Sequence, residues 1–92
     1  RLGFGASDPH PGRLAPTFVR DEAETAVPRL RAALGLDAVV PLGHSVGGAM
    51  AIATAARWPA WCPAVVTLAA QAFVEDRTLD GIRAARAAFA RP

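Results

Sequence analysis

Apolar and polar positions along this chain change period several times, and each change marks an element. Between residues 20 and 35, apolar side chains fall at 23, 26, 27, 30 and 34, the spacing of one helical face. Asp21 and Glu24 have the separation of a capping box, and Gly35 is a C-terminal stop. Pro28 lies inside the pattern and lacks an N–H, which predicts a kink or a division of the helix. Residues 38–43 are a short apolar run and read as a strand. Residues 47–58 carry small apolar side chains on most faces and read as a helix buried under neighbours, ended by Trp58-Pro59. Residues 64–69, rich in β-branched side chains, read as a second strand. Residues 78–90 read as a last helix capped by Thr78, with Leu79, Ile82, Ala85 and Phe89 inward and Arg83 and Arg86 outward. Residues 1–19, where glycine and proline concentrate, read as a loop.

The order loop, helix, strand, helix, strand, helix places the chain in the α/β class. Both strands are apolar throughout, which fits a parallel sheet covered by helices on both faces. Two strands joined through a helix form one right-handed βαβ unit. Such a unit leaves two strand edges open, so further strands beyond these residues are expected.

Composition narrows the function classes. Ninety-two residues hold one small domain at most, and just over half are apolar, a globular balance. No apolar run reaches the ~18–20 residues of a membrane span. The net charge is +2, carried by scattered arginines with no lysine and no aromatic clustering, which argues against a nucleic-acid surface. One cysteine, Cys62, allows no intrachain disulfide and fits a reducing, cytoplasmic setting. One cysteine and two separated histidines offer no metal-ligand spacing, so neither metal nor cofactor is expected.

The chemistry concentrates at Gly43-His44-Ser45-Val46-Gly47, a G-x-S-x-G run between the first strand and the helix after it. Small residues suit a sharp turn that holds Ser45 in a sparsely populated backbone conformation, at a cost of about 1–3 kcal/mol. Gly43 and Gly47 are expected where strand and helix approach most closely, with Gly48 behind them. The hydroxyl of Ser45 is expected above the carboxyl end of the strand, where open α/β sheets bind ligands. The N–H of Val46 would sit beside it at the helix N-terminus, suited to a developing oxyanion. Neither G-x-x-x-x-G-K-[ST] nor G-x-G-x-x-G before a helix occurs, which disfavours nucleotide binding.

With these residues in place, the chain resembles the α/β-hydrolase superfamily. Arg1-Leu2-Gly3-Phe4-Gly5-Ala6-Ser7-Asp8 looks like the R-x-G-x-G-x-S-D segment after that fold's fourth strand. The helix ending Ala33-Leu34-Gly35-Leu36 resembles the one ahead of the nucleophile strand, and Gly43 to Gly48 matches the G-H-S-x-G-G form of small esterases and C–C hydrolases. Gln71 to Asp76 resembles the stretch after the sixth strand in a bacterial branch. The resemblance implies an internal segment, from the exit of strand four to the helix after strand six. It places the triad acid, the triad histidine and the second oxyanion donor outside the chain. It also leaves Glu75 or Asp76 open as a triad acid, against the alternative of helix-entry charges pairing with Arg77.

The remaining residues carry readings of less consequence. His44 precedes the serine on the wrong side to act as its base and is expected to pack structurally, while His10 is expected exposed in its loop. Trp58 and Trp61 could wall a substrate, but packing at the helix end fits better. Met50 reads as core, Cys62 as a buried spacer, and Phe4 as either core or pocket lining. The functional expectation is a serine hydrolase of small esters or related acyl compounds, needing no cofactor, nucleic acid or membrane. The alternative is a catalytically inactive remnant with a structural or interaction role. In either case residues 1–92 alone are expected to be inactive for want of the histidine.

Overall fold

A computed structural model describes residues 1–70 and 75–91. Its elements are α1 (Phe18–Asp21), a π-helical turn (Glu22–Ala26), α2 (Val27–Leu34), β1 (Leu42–His44), α3 (Val46–Arg57), β2 (Val66–Leu68) and α4 (Asp76–Phe89). β1 and β2 pair in parallel, with Leu42 opposite Val66, Gly43 opposite Thr67 and His44 opposite Leu68. α3 connects them, so the chain contains the β-α-β unit that its apolar pattern implies.

Helix 20–35 begins earlier and is built differently from its sequence pattern. It starts at Phe18 and runs without a break in direction through Asp21, which therefore lies inside the helix and caps nothing. The Asp21 carboxylate instead accepts a hydrogen bond from the Thr17 hydroxyl at 2.9 Å. Pro28 divides the helix through the π turn. Its ring would press on the carbonyl of Glu24, four residues back. One residue earlier the Val27 N–H reaches five residues back, to the Glu22 carbonyl, which widens the helix at that point. Gly35 closes α2 in the left-handed conformation at φ 64°, with its N–H on the Ala32 carbonyl.

Both strands are shorter than their apolar runs. Pro41 has no N–H to give a ladder, and regular pairing starts one residue later. Up to and including Pro41 the chain is held by single bonds, Val39 N–H to the Trp61 carbonyl at 2.8 Å and Val66 N–H to the Pro41 carbonyl at 2.9 Å. α4 begins at Asp76 with Glu75 at its cap position, so Thr78 lies within the first turn.

The core is small and centres on α3. Gly48, Ala51 and Thr54 form its buried stripe at a spacing of three residues, while Ile52 on another face is exposed. Thr54 satisfies its buried hydroxyl by donating to the Met50 carbonyl at 2.8 Å. Ala23, 1% exposed, contributes from the π turn, and Cys62 closes the far end. Met50 is half-buried. Leu42 remains 68% exposed on β1. The face expected inward on α4 is open among the described residues: Ile82 and Phe89 are exposed, Phe89 to 90%, and α4 has no buried residue.

Candidate active site

β1 ends at His44 and α3 begins at Val46, so Ser45 is the whole connection between strand and helix. It must serve both. Its N–H remains tied to the sheet, donating to the Leu68 carbonyl of β2 at 3.0 Å. Its own carbonyl already belongs to the helix, accepting from Gly48 N–H at 3.0 Å and Ala49 N–H at 3.4 Å. No regular backbone conformation meets both demands. Ser45 takes φ 56° and ψ −120°, outside both regular basins, at a cost of about 1–3 kcal/mol.

That conformation changes what the side chain can do. A serine at a helix N-cap commonly accepts a hydrogen bond from the N–H two or three residues on. Ser45 holds the N-cap position but makes no such side-chain bond, and its half-buried hydroxyl has no hydrogen-bond partner among the described residues. The Val46 N–H is the first of the donors that a helix leaves unpaired at its start, and no backbone carbonyl among the described residues accepts it. A reachable hydroxyl and an available amide thus adjoin at the amino end of a twelve-residue helix.

The glycines divide the steric work unevenly. A Cβ on Gly43 would run into the Gly47 carbonyl group and lie 2.6 Å from the Gly48 nitrogen, all of it backbone that cannot swing aside. Gly47, expected to be equally confined, would place a Cβ in open space among the described residues. The second tight position is Gly48. A Cβ there would lie 2.7 Å from the Ala70 Cβ and 3.0 Å from the Ala70 Cα. The reason is the route of the chain after β2: Ala69 adopts φ 49°, unusual for a residue with a side chain, and this turn brings Ala70 over the start of α3. In the sequence Ala69 reads as the last residue of the second strand, but β2 ends at Leu68 and Ala69 turns the chain; Ala70 carries no signal. A Gly or Asn at 69 would have signalled a left-handed turn, whereas Ala gives no such sign.

None of the other candidates hydrogen-bonds to the Ser45 hydroxyl among the described residues. His44 is exposed on β1 rather than packed, because a strand residue beside the turn has no described element above it. His10 is exposed, its Nδ1 2.6 Å from the Gly12 carbonyl oxygen in its own loop. Glu75 and Asp76 are both exposed at the start of α4. Neither pairs with Arg77; among the described residues the ion pair found is Arg83–Asp80. Residues 71–74 of the Gln71 to Asp76 stretch lie outside the described residues. Phe4 is exposed under the Arg1 guanidinium, 4.3 Å from the ring centroid, and belongs to no core. Gly3 and Gly5 of the same loop take φ 84° and 56°, left-handed turns that account for the two glycines there.

Trp58 and Trp61 occupy the opposite end of α3, about 18 Å from Ser45 by helical rise. Their rings stack at 5.5 Å, and Trp58 Nε1–H donates to the Ala23 carbonyl at 2.8 Å. This is packing at the helix end. A groove of about 690 Å³ also lies elsewhere: it runs between the N-terminal loop and α1–α2, past Leu2, Leu14, Phe18 and Leu30. None of the residues around Ser45 lines it. Among the described residues there is no cluster of His, Cys, Asp and Glu able to hold a metal ion, and no helix long and apolar enough to cross a membrane.

A strand, a one-residue turn at a serine and a helix, within a parallel β-α-β unit, define a partial α/β-hydrolase fold. The family described as alpha/beta hydrolase fold matches residues 1–91, and the chain belongs to it. Among curated proteins and among solved structures, no significant match to the chain is found.

Proposed function

We propose that Ser45 is the nucleophile of a hydrolase acting on ester, related acyl or C–C bonds of small molecules. The observation that supports this reading best is the positive φ of Ser45 together with its uncommitted hydroxyl. In the reaction, Ser45 Oγ bonds to the substrate carbonyl carbon and gives up its proton to a histidine base. The carbonyl oxygen becomes an oxyanion, and Val46 N–H hydrogen-bonds to it. As the tetrahedral intermediate collapses, the leaving group departs with the proton from the histidine, and water then releases the acyl group by the same steps in reverse roles.

Neither histidine of residues 1–92 suits the base: His44 adjoins the nucleophile on its strand side, and His10 is held in its own loop. The base is assigned to chain outside these residues; the acid that orients it is assigned there as well, with Glu75 or Asp76 as the alternative. Substrates of cleavable diketone type fit the same chemistry.

The test uses the full natural polypeptide that contains this sequence. An aryl fluorophosphonate should label the Ser45 peptide, forming an Oγ–P bond with loss of fluoride and the serine proton. Ser45→Ala should abolish labelling and lower activated aryl ester turnover by about 10⁴-fold or more. Labelling at another residue, or turnover undiminished in Ser45→Ala, would refute the reading. Residues 1–92 in isolation should show no Ser45-dependent turnover, since the base is missing.

A further inference from the structure

The conformation of Ser45 needs an external restraint, and the chain after β2 is placed to give one. Two contacts, joined by a turn at the residue between them, meet the Ser45 connection. The Leu68 carbonyl accepts the Ser45 N–H at 3.0 Å. Ala69 then turns the chain at φ 49°. Ala70 lands on the start of α3, so close to Gly48 that a Cβ on Gly48 would lie 2.7 Å from its own Cβ. That added methyl would also stand 3.3 Å from the Gly43 carbonyl oxygen, so strand, helix and β2 exit meet at one point. The strain is thus shared: a second residue with a side chain, Ala69, sits at positive φ directly beside the first.

We infer that Ala69 and Ala70 are positioning residues for the nucleophile, a clamp that holds the Leu68 carbonyl on the Ser45 amide and so fixes the Ser45 hydroxyl relative to the Val46 N–H. The inference rests on the nucleophile role proposed for Ser45. The Gly48–Ala70 pair acts as a spacer. It is small on both sides because added volume on either would push the β2 exit away from the turn. The Ser45 N–H would then lose its acceptor, and the backbone would be free to relax toward an ordinary N-cap, with the hydroxyl folded onto the helix amides.

The test is a size exchange in the full natural polypeptide, with rates normalised to phosphonate-titrated sites. Gly48→Ala should lower kcat by about 10²-fold, the scale of an ångström misplacement, with KM within about twofold. The double variant Gly48→Ala/Ala70→Gly should recover about tenfold or more of that loss, because the two positions share one space. Ala70→Gly alone adds no bulk and carries the test if Gly48→Ala does not fold. It should speed hydrogen exchange of the Ser45 amide and lower kcat severalfold while KM stays. A filler role in packing would instead lower thermal stability and leave the kcat of the folded fraction unchanged. Unchanged kcat and unchanged Ser45 exchange in Ala70→Gly, or no recovery in the double variant, would overturn the clamp. If Ser45 proves not to be the nucleophile, phosphonate labelling fails in the unaltered protein, while the Ser45 exchange rates still report on the clamp.

Discussion

The two ends of α3 solve opposite problems. At its carboxyl end, large side chains interlock and satisfy one another. Trp58 stacks on Trp61 and hydrogen-bonds to Ala23, and the guanidinium groups of Arg57 and Arg31 lie 4.0 and 4.7 Å from the two indole rings. At its amino end Gly43, Gly47, Gly48, Ala69 and Ala70 bring backbones together beside a serine at positive φ, whose hydroxyl, like the Val46 N–H, has no hydrogen-bond partner among the described residues. One end fastens the helix to the π turn. The other brings backbones close enough to hold a strained residue and leaves its polar groups available. Interlocked packing and available polar groups are thus separated along one helix.

Substitutions at the two ends should therefore fail differently. The largest effect is expected at Gly43. Gly43→Ala sets a methyl against the Gly47 carbonyl, where backbone must move, and should cost about 3 kcal/mol by overpacking. Denaturant unfolding of the full natural polypeptide should show the loss, and turnover should fall with it; a stable, active variant would mean that strand and helix are not so close. A smaller effect is expected at the aromatic end. Trp58→Phe keeps most of the ring but removes the bond to the Ala23 carbonyl, costing about 1 kcal/mol. Stability should drop while kcat stays; a fall in kcat with stability intact would dissolve the separation.

The smallest effect concerns Cys62, buried next to the same aromatic end. Burial pushes its thiol above the ordinary range, and the nearby Arg31 charge offsets this in part. The sign is that of a disfavoured anion, so at pH 8 the native protein holds less thiolate than an unfolded chain. Native Cys62 should react with a disulfide reagent more slowly than in denaturant, the gap narrowing as pH rises and the thiol ionises. Equal rates at pH 8 would show the thiol to be open.

What the sequence made legible follows from what kind of signal each feature carries. The order of helices and strands shows in apolar periodicity, and the sharp turn at Ser45 shows in its glycines and its place between an apolar run and a small-residue helix. Boundaries were harder where one residue acts against the pattern. Pro41 shortens a strand whose apolar run suggests more, and Pro28 is accommodated by a five-residue hydrogen bond that no periodicity encodes. The apolar stripe of α4 suggested an inward face at Ile82 and Phe89, yet a stripe says only that a surface suits burial, and nothing among the described residues covers it. At the site, Gly47 looked as confined as Gly43. The confinement falls on Gly48 instead, because it depends on Ala70, twenty-two residues further along the chain and silent in conformational propensity.

The central claim is that a single residue joins sheet to helix at positive φ and keeps its hydroxyl free beside an amide. A crystal structure of the full natural polypeptide after reaction with an aryl fluorophosphonate tests it most directly. The account predicts Ser45 near φ 56°, its N–H on the Leu68 carbonyl, its Oγ bonded to phosphorus and a phosphonyl oxygen within hydrogen-bonding distance of Val46 N–H. Residue 45 relaxed into ordinary helix or strand geometry, with its oxygen packed among side chains and the phosphonate elsewhere, would contradict it.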